Sequence, residues 1–362
     1  MSDAAGTRTL DYNADLKPST ETLDGTYYSG RTLSYSYESG TGRPTGYSFN
    51  GTTPLSQSGE YDTVTGRVST ITGYYGAQSW EFSIGFNSGT DIVGTVTSGN
   101  YSRQVQLASS YNAINNVTTQ WNGVTLGAFS AQYSDARGLQ SSLTSGASGA
   151  PAGSWSHVLG LGDGTAASFG YDAQGQLYSA PTPSWISAAG TQSLAARNNT
   201  WGYDLAGNRN SESGASSTTY VPGVNNQYTS ITGAYAESPL SYDGDGNLTS
   251  DGTWSSYVYD HESRLVSMSN ASTTMTFAYD YMGRRIRKTV TGVGASDTKF
   301  VWAGWTLVGD MNASDGATPL RGYVWGPDFT DARGLAGGAG ALLAQISASG
   351  IAYAMSDQHG HV

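Results

Sequence analysis

No cysteine occurs among the 362 residues, which excludes a disulfide framework, a thiolate nucleophile and a cysteine-based zinc site. Charge is also scarce. Charged residues make up 12% of the chain and the net charge is −11, a balance that opposes binding to nucleic acid or to an anionic membrane through the global field. The basic cluster Arg284, Arg285, Arg287 and Lys288 is split between two faces by strand alternation, so it reads as a solvated strand and not as a ligand patch. Leu335 to Met355 carries no charge, yet glycines, serines and Gln345 interrupt it. It therefore reads as a turn followed by buried strands, and no membrane span is expected. The opening Met1-Ser2-Asp3-Ala4-Ala5-Gly6 has neither a basic start nor an apolar run, so no signal peptide is read in this chain. A 3.6-residue apolar period is missing throughout, and Ser193 to Arg197 is the best short helical candidate. There is no Gly-x-Ser-x-Gly elbow, P-loop or dinucleotide fingerprint; Gly334 to Gly340 is glycine-rich without the required spacing.

What the chain has in quantity is glycine, 49 residues, and polar aromatics, 25 Tyr and 9 Trp against 8 Phe. That is the composition of an all-β, turn-rich protein with many short strands. A tyrosine recurs just before an aspartate and then a glycine or serine: Tyr61-Asp62 with Gly66, Tyr171-Asp172 with Gly175, Tyr203-Asp204 with Gly207, Tyr242-Asp243 with Gly246, Tyr259-Asp260 with Ser263, Tyr279-Asp280 with Gly283, and a looser Tyr133 with Asp135 and Gly138. The steps lie near multiples of about 20 residues, the lower end of structural repeat periods. Each part has a physical task. The aspartate bonds its own backbone two residues on and starts a turn, and glycine supplies the positive φ that closes it. The tyrosine ends a strand, packs its ring and leaves its hydroxyl to find a partner.

Period-two alternation marks half-buried strands at Leu33, Tyr35, Tyr37; at Trp80, Phe82, Ile84, Phe86; and at Met275, Phe277, Tyr279. Arg264 to Met268, a polar loop 269–273 and Thr274 to Tyr279 read as a hairpin. The expected organisation is one continuous array over 1–362: weaker repeats in 1–143, a flexible loop at 144–154, the strongest repeats in 171–290, and glycine-rich strands in 320–362. Ala180 to Ser184 is a second break. Asp357 to Val362 repeats the Asp, Gly, aliphatic pattern with Ser356 in the tyrosine position, so the chain is expected to be part of something longer or to have its end covered by a partner.

These residues resemble the RHS or YD-repeat family, most closely along Tyr203 to Arg209, Asn225 to Tyr228, Tyr242 to Leu248, Tyr259 to Leu265 and Tyr279 to Arg285. Trp325 to Asp328 and Gly337 to Leu343 also resemble bacterial members; the first 130 residues match more loosely. The resemblance implies a spiral β-sheet, β-solenoid-like, curved or partly closed into a shell around a polypeptide, related to the C components of Tc toxin complexes and to teneurin barrels. It implies that the Tyr, Asp and Gly positions above are structural. The chain departs from the pattern in lacking an Asp-Pro-x-Gly-Leu type self-cleavage core, a variable toxin segment and a plug.

Other chemistry is weak on the page. Asp243, Asp245 and Asn247 have the opening spacing of a calcium loop, but its twelfth position is Trp254 where a glutamate is needed. His359 and His361 share one face of an expected strand with no third ligand; His157 and His261 stand apart. No metal site and no cofactor are expected, and a paired-carboxylate glycosidase site is not singled out. The leading expectation is a non-enzymatic shell segment of a secreted or bacterial surface protein, enclosing or presenting a polypeptide such as a toxin. Alternatives are a carbohydrate-binding or adhesion module stacking sugars on Trp80, Trp121, Trp201, Trp254, Trp302 and Trp305, and self-assembly through sheet edges.

Overall fold

A computed structural model describes residues 2–3, 6–108, 113–133, 140–146, 167–168, 170–171, 174, 176–180, 185–187, 190–192, 199–214, 217–234, 236, 239–327 and 340–356. Asp135, Gly138, Asp172, Gly175, residues 147–154 of the loop read at 144–154, Pro181 to Ser184, Ser193 to Arg197, His157, Gly334 to Ala339 and Asp357 to Val362 lie outside the described residues. The first three residues of that loop, Thr144 to Gly146, are not loop: they pair with Ala128 to Ser130 as the end of the strand Gln140–Gly146. The described architecture is all-β, in antiparallel sheets, with one helical turn, Gly25–Tyr28. The chain divides into two compact units, Met1–Val105 with Met275–Val362, and Gln106–Thr274.

The first unit is built from both ends of the sequence. Its N-terminal part is a meander of Thr9–Tyr12, Pro18–Thr22, Thr32–Tyr37, Pro44–Phe49, Leu55–Tyr61, Val68–Tyr75, Gln78–Phe86, Val93–Ser98 and Tyr101–Leu107, each strand paired with its sequence neighbours. Its C-terminal part is a second meander, from Thr273–Tyr279 through Arg285–Gly292, Ser296–Ala303, Thr306–Asn312, Pro319–Trp325 and Leu342–Ser347 to Gly350–Tyr353. Short polar turns make sequence neighbours the nearest pairing partners, and alternation decides which face is apolar. Leu55, Gln57, Gly59 and Tyr61 fall on one face of their strand and are buried, while Ser56 and Ser58 fall on the other.

The apolar faces of the two meanders pack together. Leu33, Phe49, Ile71 and Phe82 from one, and Met311, Val324, Leu343 and Ile346 from the other, are each no more than 2% exposed. Burying one such side chain contributes roughly 1.5–3 kcal/mol. The layers come close at Gly73, where an added Cβ would stand 2.3 Å from Val324 Cγ2. Leu55 is seated in the same way, against the Cβ-free backbone of Gly322.

Polar groups cross between the layers as well. A β-bulge at Val324/Trp325 interrupts the ladder to Leu342–Ser347. The buried Gln57 amide substitutes for it, its Nε2 donating to Trp325 O at 2.7 Å and its Oε1 accepting from Trp325 N at 2.8 Å. The Tyr28 hydroxyl donates to Phe300 O at 2.8 Å and that of Tyr101 to Ala354 O at 2.8 Å. Tyr28 belongs to the helical turn, which sequence periodicity did not anticipate. Asp24 caps it, accepting from Tyr27 N at 3.0 Å through Oδ1. Capping and the burial of Tyr28, not propensity, account for a turn this short.

The second unit holds the meander strands Ile114–Trp121, Val124–Tyr133, Gln140–Gly146 and Ala167–Ser168, and a six-stranded sheet of Gly170–Tyr171, Leu177–Ala180, Asn199–Tyr203, Arg209–Ser213, Thr218–Pro222 and Tyr228–Gly233. Three hairpins complete it: Trp185–Ser187 with Gly190–Gln192, Ser241–Tyr242 with Leu248–Ser250, and Ser256–Tyr259 with Leu265–Ser269. The loop read at 269–273 closes earlier than expected, because Asn270 Oδ1 takes the Thr273 N–H at 2.9 Å.

Candidate functional site: the repeat turns and their clasps

The recurring tyrosine and aspartate form one device. At Asp204, Asp243, Asp260 and Asp280 the Asp N–H bonds the carbonyl four residues on, and the N–H at the third position returns to the Asp carbonyl. One carboxylate oxygen, Oδ1, accepts two further backbone N–H groups; for Asp243 these come from Asp245 at 3.0 Å and Asn247 at 2.8 Å. The other, Oδ2, is taken by the side chain at the fourth position: Asn208 at 2.9 Å, Asn247 at 3.0 Å, Arg264 at 2.8 Å and Arg284 at 2.7 Å. The third position carries positive φ, at Gly207, Gly246 and Gly283, and at Ser263 with φ 56°. Side-chain donation by Asn208 and Asn247, aided by the turn N–H groups, holds the Asp204 and Asp243 carboxyls below the ordinary carboxylate range. The carboxylate of Asp243 is thus occupied by its own turn. Asp62 follows the same plan in a loop one residue longer, closed by Arg67 O at 2.7 Å, with Gly66 at φ 70°.

A β-bulge precedes the tyrosine at Tyr61, Tyr171, Tyr203, Tyr242 and Tyr259. It tilts the ring toward the preceding turn, where the hydroxyl finds a main-chain carbonyl: Tyr61 to Pro44 at 2.6 Å and Tyr242 to Tyr228 at 2.9 Å. The residue that closes one turn reaches the other way, to the carbonyl of the positive-φ glycine in the next. Arg43 donates to Gly66 O at 2.7 Å while its guanidinium lies 4.1 Å from the Tyr61 ring centroid. Gln227 donates to Gly246 O at 3.2 Å. These pairs of consecutive turns are therefore clasped in both directions.

The same geometry reveals copies that the Tyr-Asp pattern missed. Tyr12-Asn13 is one: Asn13 Oδ1 accepts from Asp15 N and Lys17 N, both at 3.0 Å, and Leu16 takes the positive-φ place at 58°. Tyr37-Glu38 is another, with its hydroxyl on Pro18 O at 2.8 Å and Lys17 on Gly42 O at 2.5 Å. A tyrosine followed by any residue able to accept, with a cation or amide four or five positions on, is the signal that finds them. Pro222 to Gln227 keeps the turn with neither residue, closed by Gly223 N to Gln227 O at 2.6 Å.

The basic cluster corrects the solvated reading at one position. Arg284 is 3% exposed; its Nη2 lies 2.6 Å from Asp280 Oδ2, and it also donates to Gly304 O. Strand alternation puts Arg284 and Ile286 inward and leaves Arg285 outward, but the turn supplies the counter-charge that lets the inward arginine stay. Arg8 joins the cluster, 2.6 Å from Glu21 and 3.7 Å from Asp280, and Tyr35 donates to Glu21 at 3.2 Å. Burial and the neighbouring Glu21 charge push the Tyr35 hydroxyl well up. Two acids and two arginines thus form a neutral buried chain at the Asp280 turn.

The tryptophans named as sugar-stacking candidates are distributed over both units. Trp80 is half-buried opposite Gly73; Trp121 ends a strand; Trp201 has the Arg209 guanidinium 5.5 Å from its ring; and Trp254 sits in the turn capped by Asp251 at 2.6 Å. Trp302 is half-buried and donates through Nε1 to Arg285 O at 2.9 Å, while Trp305 is 69% exposed at the hairpin tip beside it. Among the described residues no group of His, Asp and Glu is arranged to hold a metal ion, and no helix is long and apolar enough to cross a membrane.

No family model and no curated protein matches the sequence. Solved structures do. A chain of the Photorhabdus luminescens Tc holotoxin pore, in a TccC3 mutant form, aligns with TM-score 0.51 and 12% identity over 94% of this chain and 20% of that one. A chain of the TcdB2-TccC3-Cdc42 crystal structure aligns with TM-score 0.49 and 12% identity over 88% of this chain and 19% of that one. The chain spans about a fifth of the length of these solved chains. An all-β fold like that of the holotoxin chain is what the clasped meanders build.

Proposed function

We propose that this chain is a non-enzymatic wall segment of the RHS/YD-repeat kind, from a secreted or surface protein, whose task is to enclose or present another polypeptide. The observation that carries the reading is the two-way clasp: Tyr hydroxyl to the previous turn, Arg, Lys or Gln to the next. It consumes the polar atoms of the repeat in joining successive antiparallel hairpins and leaves the Asp carboxylates committed to their turns. The likeness in fold to the Tc holotoxin chain supports the same reading. A spiral or closed form would follow from further repeats of the same device.

Limited proteolysis followed by mass spectrometry tests it. The expected result is that the strands from Leu55 to Ser98 and from Arg285 to Tyr353 survive as long fragments that stay associated, and that a polypeptide encoded in the same reading frame or operon becomes protease-resistant in the presence of this chain. Rapid cutting throughout the strands, or no protection of the co-expressed polypeptide, would remove the wall reading.

A further inference from the structure

The two outward faces of the first unit differ in chemistry. On the N-terminal meander, Ser34, Ser48, Ser56, Tyr74 and Ser79 oppose one another across successive strands, a row made mainly of serine hydroxyls. The outward face of the C-terminal meander carries rings. Trp302 pairs with Leu307 on the next strand, and Trp325 on the strand beyond donates its Nε1 to Leu307 O at 2.7 Å. Two strand spacings, about 9–10 Å, therefore separate the backbones that carry the two indoles. Each ring is pinned at both ends, by its Cβ and by an N–H bond to a neighbouring strand, so little rotamer freedom is left to lose on binding. Tyr323 lies beside Trp325 on the same strand, 6.4 Å away between centroids.

Beside the rings lies an ion pair that offers both donor and acceptor. Arg321 Nε is 2.8 Å from Asp310 Oδ2, which also accepts from Tyr323 at 3.2 Å, while Arg321 reaches Gln345 Oε1 at 3.5 Å. Asp310 is 6% exposed and its Oδ1 has no hydrogen-bond partner, an unusual state for a buried carboxylate. The Arg321 side chain above it is 47% exposed.

We propose that Trp302, Trp325 and Tyr323, with Arg321 and Asp310, form a binding platform for a neutral linear polysaccharide, two of whose sugar rings stack on the two indoles. The C–H face of a pyranose is drawn to the negative face of an indole, and its hydroxyls need the mixed donors and acceptors that Arg321 and Gln345 supply, with the buried Asp310 holding Arg321 in place. An extended peptide is the poorer fit, because it is recognised through a free strand edge or through side-chain pockets, whereas this is the flat of a sheet with neighbours paired on both sides of Thr306–Asn312 and Pro319–Trp325. The inference does not depend on the wall reading.

The test uses the full chain and isothermal titration with soluble cello-, xylo-, chito- and maltohexaose, followed in parallel by tryptophan fluorescence. The expected result is saturable binding of at least one hexaose with quenching, weakened about tenfold or more by Trp302→Ala. Arg321→Ala, which truncates a half-exposed side chain and also strips the buried Asp310 of its counter-charge, is expected to weaken the same hexaose, and Trp254→Ala to leave it unchanged. Circular dichroism establishes that each variant is folded. No binding of any hexaose at millimolar concentration overturns the proposal, as does binding that neither Trp302→Ala nor Arg321→Ala diminishes. Capture of an unfolded polypeptide, reduced and carboxymethylated α-lactalbumin, with no hexaose bound would reassign the face to protein and equally overturn it.

Discussion

Two aspartates with the same sequence role carry very different weight. Asp243 closes a turn at the surface, whereas Asp280, 1% exposed, closes an identical turn and also neutralises Arg284 and Arg8 inside the first unit. Removing one partner of a buried ion pair leaves the other charged and unsolvated, at a cost of about 3–5 kcal/mol. Asp280→Ala is therefore expected to lower the urea unfolding free energy by about that amount, while Asp243→Ala, which exposes only turn N–H groups to water, lowers it much less. Equal effects in the two variants would mean that the buried charge chain contributes nothing beyond the turn. The pH dependence follows from the same residues. The Asp204 and Asp243 carboxyls are held low by their turn donors, so their folded pKa values lie below those of the unfolded chain. Their contribution is complete above the unfolded value, about pH 4, and is lost as pH falls through the folded values. Melting temperature measured from pH 6 down to pH 2 should hold steady and then decline below about pH 4.

At the scale of the element, the Asp turns were legible because their chemistry is local. Asp, then two residues, then Gly writes its own hydrogen bonds, and the strands on either side follow from alternation at Leu33, Phe82 and Ile84. Tyr12-Asn13 and Tyr37-Glu38 escaped because substitution of the acceptor preserves the geometry and changes the letters. The tight packing of the two meanders escaped for a different reason. Nothing near Gly73 announces that Val324, some 250 residues away, will rest on its Cα, and nothing near Gln57 announces the bulge at Trp325 that its amide completes. Contacts of that separation leave no period in the sequence. They do leave a test: Gly73→Ala places a methyl inside Val324 and should cost about 1–3 kcal/mol as overpacking. Val324→Ala alone creates a cavity and also destabilises. The double variant is expected to be more stable than the sum of the two losses predicts, a coupling that a thermodynamic cycle in urea reads directly. Strict additivity would show that the layers do not meet there.

For the molecule as a whole, the consequence is kinetic. The first unit joins the two ends of the sequence, with Tyr28 bonded to Phe300 and Tyr101 to Ala354, and its core cannot close until the chain between Val105 and Met275 has been brought round. Loop closure must precede the burial that rewards it, so non-local β topologies fold slowly. The hairpins of the second unit, Ser256–Tyr259 with Leu265–Ser269 for example, need only local contacts. Refolding by dilution from urea should therefore show a fast phase insensitive to core substitutions between the layers, followed by a phase of a second or slower that Leu343→Ala retards. Leu55→Ala, in the opposite layer, should retard the same phase, because both side chains enter the core only when the two meanders meet. If Leu343→Ala and Leu55→Ala instead altered separate phases, each meander would be folding on its own side chains, and the filled core between them would be a late addition and not the event that completes the unit.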